Sequence, residues 1–179
     1  SILIDPVSIQ TNPESTTVKA ITQHLYKVDR AQKQQLLRGF LRGEDVTRAL
    51  VFTKTKHGAD RLARFLRRSS INTDAIHGNK TQNMRTKAMD AFRRGRVSVL
   101  IATDVASRGI DVDDITHVIN YDMPIDPETY VHRIGRTARA GATGVAVSFC
   151  SRDEKKLLRA IERRTDASFE NMENESLLK

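Results

Sequence analysis

The sequence predicts an α/β fold: a parallel β-sheet with helices packed on both faces. Three observations carry that prediction. Short apolar runs such as Ala49-Leu50-Val51-Phe52 and Val97-Ser98-Val99-Leu100-Ile101-Ala102 read as strands buried on both sides. Between such runs lie segments whose apolar residues recur at helical spacing. The order strand, helix, strand, helix then repeats along the chain, which is the pattern of a parallel sheet. In sheets of this kind ligands gather at the carboxyl ends of the strands.

Each element has its own justification. Residues Ser1 to Thr17 read as a connector, because Asp5-Pro6 and Asn12-Pro13-Glu14-Ser15 are turn chemistry. Ile21 to Val28 has strand character. Ala31 to Leu41 is a helix with Leu36, Leu37, Phe40 and Leu41 on one face and Gly43 beyond its end. After the 49–52 strand, Thr55 caps a helix through Arg67 that turns Ala59, Leu62, Ala63, Phe65 and Leu66 inward. Thr73 to Ile76 is a strand, and Thr81 caps a helix that Gly95 ends. Val97 to Ala102 and His117 to Tyr121 are the next strands. Asp126 as N-cap, Pro127 at the first helical position and Glu128 at the positive end of the dipole then mark a helix. Its residues Tyr130, Val131 and Ile134 face a core, and Gly135 stops it. Gly144 to Cys150 is a strand and Glu154 to Arg164 a basic amphipathic helix. The domain is thus expected over 18–165, with a loose polar tail at 166–179. No internal repeat is visible.

Bulk properties narrow the partners. The chain has 179 residues, net charge +8 and pI about 9.9, which favours a polyanion, nucleic acid before membrane. No apolar run approaches the roughly 20 residues that span a bilayer. Cys150 is the single cysteine, so no internal disulfide forms, and a cytoplasmic location is expected. The five histidines are scattered, and no metal site is expected.

The densest chemistry lies in His132-Arg133-Ile134-Gly135-Arg136-Thr137-Ala138-Arg139-Ala140-Gly141. Three arginines and a histidine fall within eight residues, and no acidic residue occurs between Glu128 and Asp153. Arg136 and Arg139, three apart, leave the same side of any helical turn. Two planar forks side by side suit the spread charge of a phosphoryl group in transfer. Two further strand-end loops stand out. In His77-Gly78-Asn79-Lys80-Thr81-Gln82-Asn83-Met84-Arg85, Gly78 lets a ligand approach the backbone, and Gln82 and Arg85 occupy a first helical turn suited to a phosphate. In Ala102 to Asp111, Thr103 and Arg108 can bind phosphate or a ribose hydroxyl, and Asp111 can accept from a ribose. Asp104 or Asp111 can equally pair with Arg133 or Arg136 to tie two loops together.

Two absences matter as much. None of the nine glycines is followed by lysine, so the Gly-Lys phosphate loop is missing. No Asp-Glu pair directly ends a buried strand to hold magnesium. Arginines for phosphate without a cradle for it make half of a site. Aromatics are 5% with no tryptophan, so binding is expected through the sugar-phosphate backbone and not by base stacking.

Taken in order, these motifs resemble the C-terminal RecA-like lobe of the DEAD-box RNA helicases, over about Val18 to Arg164. Leu50-Val51-Phe52-Thr53 resembles motif IV, and His77-Gly78 with Gln82 and Arg85 the motif after it. Ala102 to Asp111 resembles motif V, and His132 to Gly141 motif VI. The spelling Ile76-His77-Gly78-Asn79-Lys80 leans toward bacterial RhlE-type members. The resemblance implies a RecA-like parallel sheet, with 1–17 as the connector between lobes. It implies Arg136 and Arg139 as arginine fingers, Gly109 and Asp111 at the nucleotide's ribose, and Thr55, Gly78, Gln82, Arg85, Thr103 and Arg108 on RNA. His132 and Arg133 would couple the two sites. ATP with Mg2+ would be held mainly by an N-terminal lobe, so this lobe alone is expected to be inactive. His132, where related DNA helicases carry glutamine, disfavours a DNA-remodelling lobe. Intact Arg136, Arg139 and Asp111 disfavour a non-catalytic RNA-binding or docking module. One departure is Ala138, where the family has glycine; alanine is strained there if the position needs a positive φ.

Overall fold

The computed structural model describes residues 18–139 and 143–179, so the expected connector and the end of the arginine motif, 140–142, lie outside the described residues. The apolar runs become strands β1 (Ile21–Lys27), β2 (Ala49–Phe52), β3 (Thr73–Ile76), β4 (Val99–Ala102), β5 (His117–Asn120) and β6 (Gly144–Cys150). The helices are α1 (Lys33–Leu41), α2 (Lys56–Arg68), α3 (Gln82–Arg93), α4 (Pro127–Ile134) and α5 (Lys155–Arg164). A further strand, β7 (Phe169–Met172), completes a sheet in the order β3-β4-β2-β5-β6-β1-β7. Every pairing is parallel.

The central strands are covered on both faces, and β2, β4 and β5 are buried at every position. Alternation then sorts side chains between two cores. Ala49 and Val51 of β2 pack in a cluster with Leu36, Leu37, Leu62 and Leu66, so α1 and α2 cover that face. Leu50 and Phe52 join Ala88 and Phe92 of α3 on the other face, with Ala106, Ile110, Val112 and Ile115 from the segment after β4. Farther along, Tyr130 and Ile134 of α4 and Leu158 and Ile161 of α5 close over Ile21, Leu25 and Ala146.

The predicted caps form. Thr55 Oγ1 accepts from the Gly58 N–H at 3.0 Å, Thr81 Oγ1 from Met84 at 3.2 Å, and Asp126 Oδ1 from Thr129 at 2.7 Å. Each satisfies a donor that a helix start leaves open, a contribution of about 1 kcal/mol. The caps fix where α2, α3 and α4 begin, and thus where the loops at the carboxyl edge of the sheet end.

The polar tail expected at 166–179 is instead built into the fold. Its β7 pairs with β1, Asn174 Nδ2 donates to the Lys27 carbonyl at 2.9 Å, and Leu177 and Leu178 pack against the α1 core. A Cβ at Gly39 of α1 would stand 2.1 Å from the Leu177 carbonyl oxygen, so the backbone of this segment lies directly on the helix. Its apolar residues are spaced among Glu170, Glu173 and Glu175, and its strand lies at the edge, half open to water. Composition alone therefore hides its packing. No helix among the described residues is long and apolar enough to cross a membrane.

Candidate functional site

The loops after β3, β4, β2 and β5 emerge from four neighbouring strands at one edge of the sheet. That adjacency brings together motifs that are far apart in sequence. Arg133 is the strut of the assembly. Its guanidinium is 3% exposed and grips Asp104 with two bonds, Nε to Oδ1 at 2.6 Å and Nη2 to Oδ2 at 2.8 Å. Nη1 donates to Asn120 Oδ1 at 3.2 Å and to the Asp122 carbonyl at 2.7 Å, and the charge lies 5.0 Å over the Phe52 ring. Thus Arg133 ties α4 to the β4 and β5 loops from a buried position.

Arg136 and Arg139 behave differently. Arg136 is half-buried and donates from Nη1 to the Ile110 carbonyl at 3.0 Å. Burial, and then the neighbouring Arg139, draw its pKa below the ordinary arginine value, while Asp111 opposes them. Arg139 Nη1 meets Asp111 Oδ1 at 2.6 Å, with side-chain exposures of 33% and 78%. An ion pair this open contributes roughly 0–1 kcal/mol and yields readily to a competing anion. Both guanidinium groups thus contact residues 110–111, although the turn between them is not the helical one that their spacing of three invites, because Ala138 is left-handed.

The turn that aims Arg139 is strained. Ala138 has φ 57°, the left-handed region, so the residue standing at the family's glycine position does need a positive φ. Thr137 Oγ1 donates to the Ile115 carbonyl at 2.5 Å and holds the turn down. Gly144 makes room for it: a Cβ there would meet Thr137 Oγ1 at 2.5 Å and the Ala138 nitrogen at 2.7 Å.

The loop after β4 is a chain of tight turns. The Ser107 N–H donates to the Thr103 carbonyl at 3.0 Å and Ile110 N–H to the Ser107 carbonyl at 3.1 Å, while Gly109 supplies φ 85°. Ala106 and Ile110 are buried, leaving Arg108, Gly109 and Asp111 exposed. Between this loop and α3 runs a groove of about 250 Å³. Gln82, Arg85 and Arg93 line one wall, and Ala106, Arg108 and Gly109 the other. Arg85 Nη2 reaches across to the Ala106 carbonyl at 3.4 Å.

Four of the eight residues expected at nucleotide or RNA, namely Gln82, Arg85, Arg108 and Gly109, thus line one groove. Thr55, Gly78, Thr103 and Asp111 lie outside it. Thr55 is committed as a helix cap, and Thr103 is half-buried at the end of β4. Gly78 is exposed with open space where a Cβ would stand, so the fold itself does not demand glycine there. His132 is exposed on α4, one residue from the buried strut. Sequence reasoning missed Arg93, although steps of four from Arg85 through Met89 reach it on one helical face. A second cavity of about 280 Å³, lined by residues such as Lys27, Cys150 and Lys155, contains none of the expected residues.

Comparison with known proteins supports the same family. Residues 32–141 match the helicase conserved C-terminal domain. The chain is 44% identical over 166 residues to the ATP-dependent RNA helicase SrmB of Haemophilus influenzae, covering 92% of this chain and 38% of that protein. The chain thus spans less than half the length of this curated relative. Among solved structures, E. coli SrmB bound to regulator of ribonuclease activity A superposes with TM-score 0.84 at 39% identity, over 88% of this chain and 93% of that one. S. cerevisiae Dbp5 bound to RNA and ADP BeF3 gives 0.81 at 32% identity, over 90% of this chain and 46% of that one. A seven-stranded parallel sheet, strand-end motifs in fixed order and these likenesses agree: the chain belongs to the helicase conserved C-terminal domain family, as the RecA-like C-terminal lobe of a DEAD-box protein.

Proposed function

We propose that this lobe serves an ATP-dependent RNA helicase, closing on an N-terminal lobe to grip RNA and complete the site of ATP hydrolysis. The observation that carries the reading is the state of Arg136 and Arg139. Both lie beside residues 110–111 at the strand-end edge, and the one carboxylate between them is an exposed partner that a phosphate can replace. Two such forks next to Asp111 fit a nucleotide with its γ-phosphate at the arginines and its ribose at the carboxylate. ATP supplies the transferable phosphoryl group, and Mg2+ is assigned with it to the N-terminal lobe.

In this reading Arg136 and Arg139 stabilise charge that develops on transfer, and they reach it only when the lobes close. Gln82, Arg85 and Arg108 hold RNA phosphates in the groove, while Gly78, Thr55 and Thr103 extend the contact along the backbone. Arg133 couples the two functions mechanically, because one rigid ion pair joins the arginine helix to the loop that carries Thr103 and Arg108. His132, exposed on the same helix, is assigned to the same coupling. Loss of the γ-phosphate removes the contact that favours closure and releases the RNA. RNA in the Dbp5 complex supports RNA binding by this type of lobe, and the SrmB complex supports a protein partner as well. A cytoplasmic location belongs to the proposal and is supported by the buried, unpaired Cys150.

The test is RNA-stimulated ATP hydrolysis. The two-lobed protein should hydrolyse ATP in response to RNA, and this lobe alone should not. Equal turnover by the isolated lobe would overturn the division of labour.

A further inference from the structure

His77 sits inside a motif whose residues Gly78, Gln82 and Arg85 are assigned to RNA in the proposed function, yet its own side chain is 2% exposed. Its surroundings explain its chemistry. The Asn79 N–H donates to His77 Nδ1 at 3.2 Å, so the ring proton resides on Nε2. Nε2 lies 2.9 Å from Asp60 Oδ1 on α2, but off the direction of a good hydrogen bond, and no other acceptor serves this buried atom. Asp60 is therefore the one carboxylate, among the described residues, set against this N–H. Burial raises the Asp60 pKa, but His77 and then Lys80 outweigh it and hold the carboxyl below its ordinary value.

The same few residues form the bridge from β3 to α3. Lys80 Nζ lies 3.3 Å from Asp60 Oδ1, and the Lys80 N–H donates to the His77 carbonyl at 3.0 Å. Lys56 Nζ on α2 donates to Asn79 Oδ1 at 3.1 Å. Thr81 follows at once, caps α3, and accepts the Arg85 N–H on its carbonyl at 3.0 Å. An apolar side chain of similar size would fill the space under this bridge but would leave the Asn79 N–H without its acceptor.

We propose that His77 is a positioning residue for RNA binding: by holding Asn79 on one ring nitrogen and facing Asp60 with the other, it sets where α3 starts and so where Gln82 and Arg85 stand. The proposal rests on the groove between α3 and the β4 loop being the RNA site. Displacing the first turn of α3 moves both side chains at once, which a deletion at the surface does not.

The two nitrogens can be separated in the full two-lobed protein. His77→Asn places a carbonyl oxygen near Nδ1 and keeps an acceptor for Asn79; His77→Gln reaches toward Asp60 and loses that acceptor. Anisotropy with labelled oligouridylate and a non-hydrolysable ATP analogue gives RNA affinity, and steady-state turnover gives KM for ATP. His77→Gln should weaken RNA binding about tenfold with KM for ATP unchanged, and His77→Asn should restore most of it. If both affinities fall together, or asparagine fails to rescue, His77 is only a core residue and the proposal fails. Should His77→Gln not fold, Asp60→Asn carries the test from α2, with a severalfold loss of RNA affinity expected and no loss overturning it. Arg85→Ala separates the two layers. If it leaves RNA binding intact, the groove reading itself is wrong; if it weakens binding while His77→Gln does not, only the positioning role falls.

Discussion

Glu154→Gln tests whether buried polar contacts hold the arginine helix in place. Glu154 Oε1 accepts from Lys33 Nζ at 2.5 Å, the Ser151 N–H at 3.1 Å and Ser151 Oγ at 2.8 Å, while Oε2 accepts the Met123 N–H at 2.7 Å. Lys33 also donates to the Tyr121 carbonyl at 2.7 Å, so the pair clamps 121–123, the segment that leads into α4. The side chains of Lys33 and Glu154 are 2% and 9% exposed. Glutamine has one oxygen where Glu154 has two, so its amide nitrogen must face either the Met123 N–H or the lysine. It also removes the nearer of two neutralising carboxylates and leaves the buried ammonium with Asp122 alone, at 3.9 Å. Breaking one side of such a pair costs about 3–5 kcal/mol, a large share of a stability of about 5–15 kcal/mol. Urea unfolding near pH 7 measures it. The pH dependence gives a second arm. Burial raises the Glu154 pKa, but Lys33 and the two backbone donors lower it further, to a net value below the ordinary 4.5. Its stabilisation is therefore full above the unfolded value and lost as pH falls through the folded one. The gap between wild type and Glu154→Gln should be constant around neutrality and shrink below about pH 4.5. A difference under about 1 kcal/mol at neutral pH, or one that widens in acid, would refute this reasoning.

Two further variants probe the site. Gly144→Ala drives a Cβ into Thr137 and the Ala138 backbone, and should cost about 1–3 kcal/mol in thermal or urea unfolding while moving Arg139; an unchanged midpoint would show that the turn is not held there. Arg85→Ala should weaken RNA binding alike for unrelated sequences and lower the salt slope by about one unit. A loss confined to one RNA sequence would count against backbone readout.

Much of this was legible in the chain because it depends on local rules. Ala49 to Phe52 announces a fully buried strand, and Thr55, Thr81 and Asp126 announce helix starts; all four statements hold in the structure. The strand order was not readable, and with it went the choice of ion pairs. The sequence allowed Asp104 or Asp111 to meet Arg133 or Arg136. Strand adjacency instead gives Asp104 to Arg133 and Asp111 to Arg139, and leaves Arg136 on a backbone carbonyl. The Lys33–Glu154 clamp joins residues 121 positions apart, beyond any local pattern. Segment 166–179 misled by composition, since Ala167, Phe169, Met172, Leu177 and Leu178 pack it in place and acidic residues hide them. Ala138 was legible as a question, and only the backbone answered it.

In the proposed function, Arg136 is kept for a phosphoryl group brought by another lobe. In the two-lobed protein, single-turnover ATP hydrolysis with saturating RNA should slow about 10³-fold for Arg136→Ala, with analogue affinity and RNA affinity changed little. An Arg136→Ala protein that hydrolyses ATP at the wild-type rate would contradict the account.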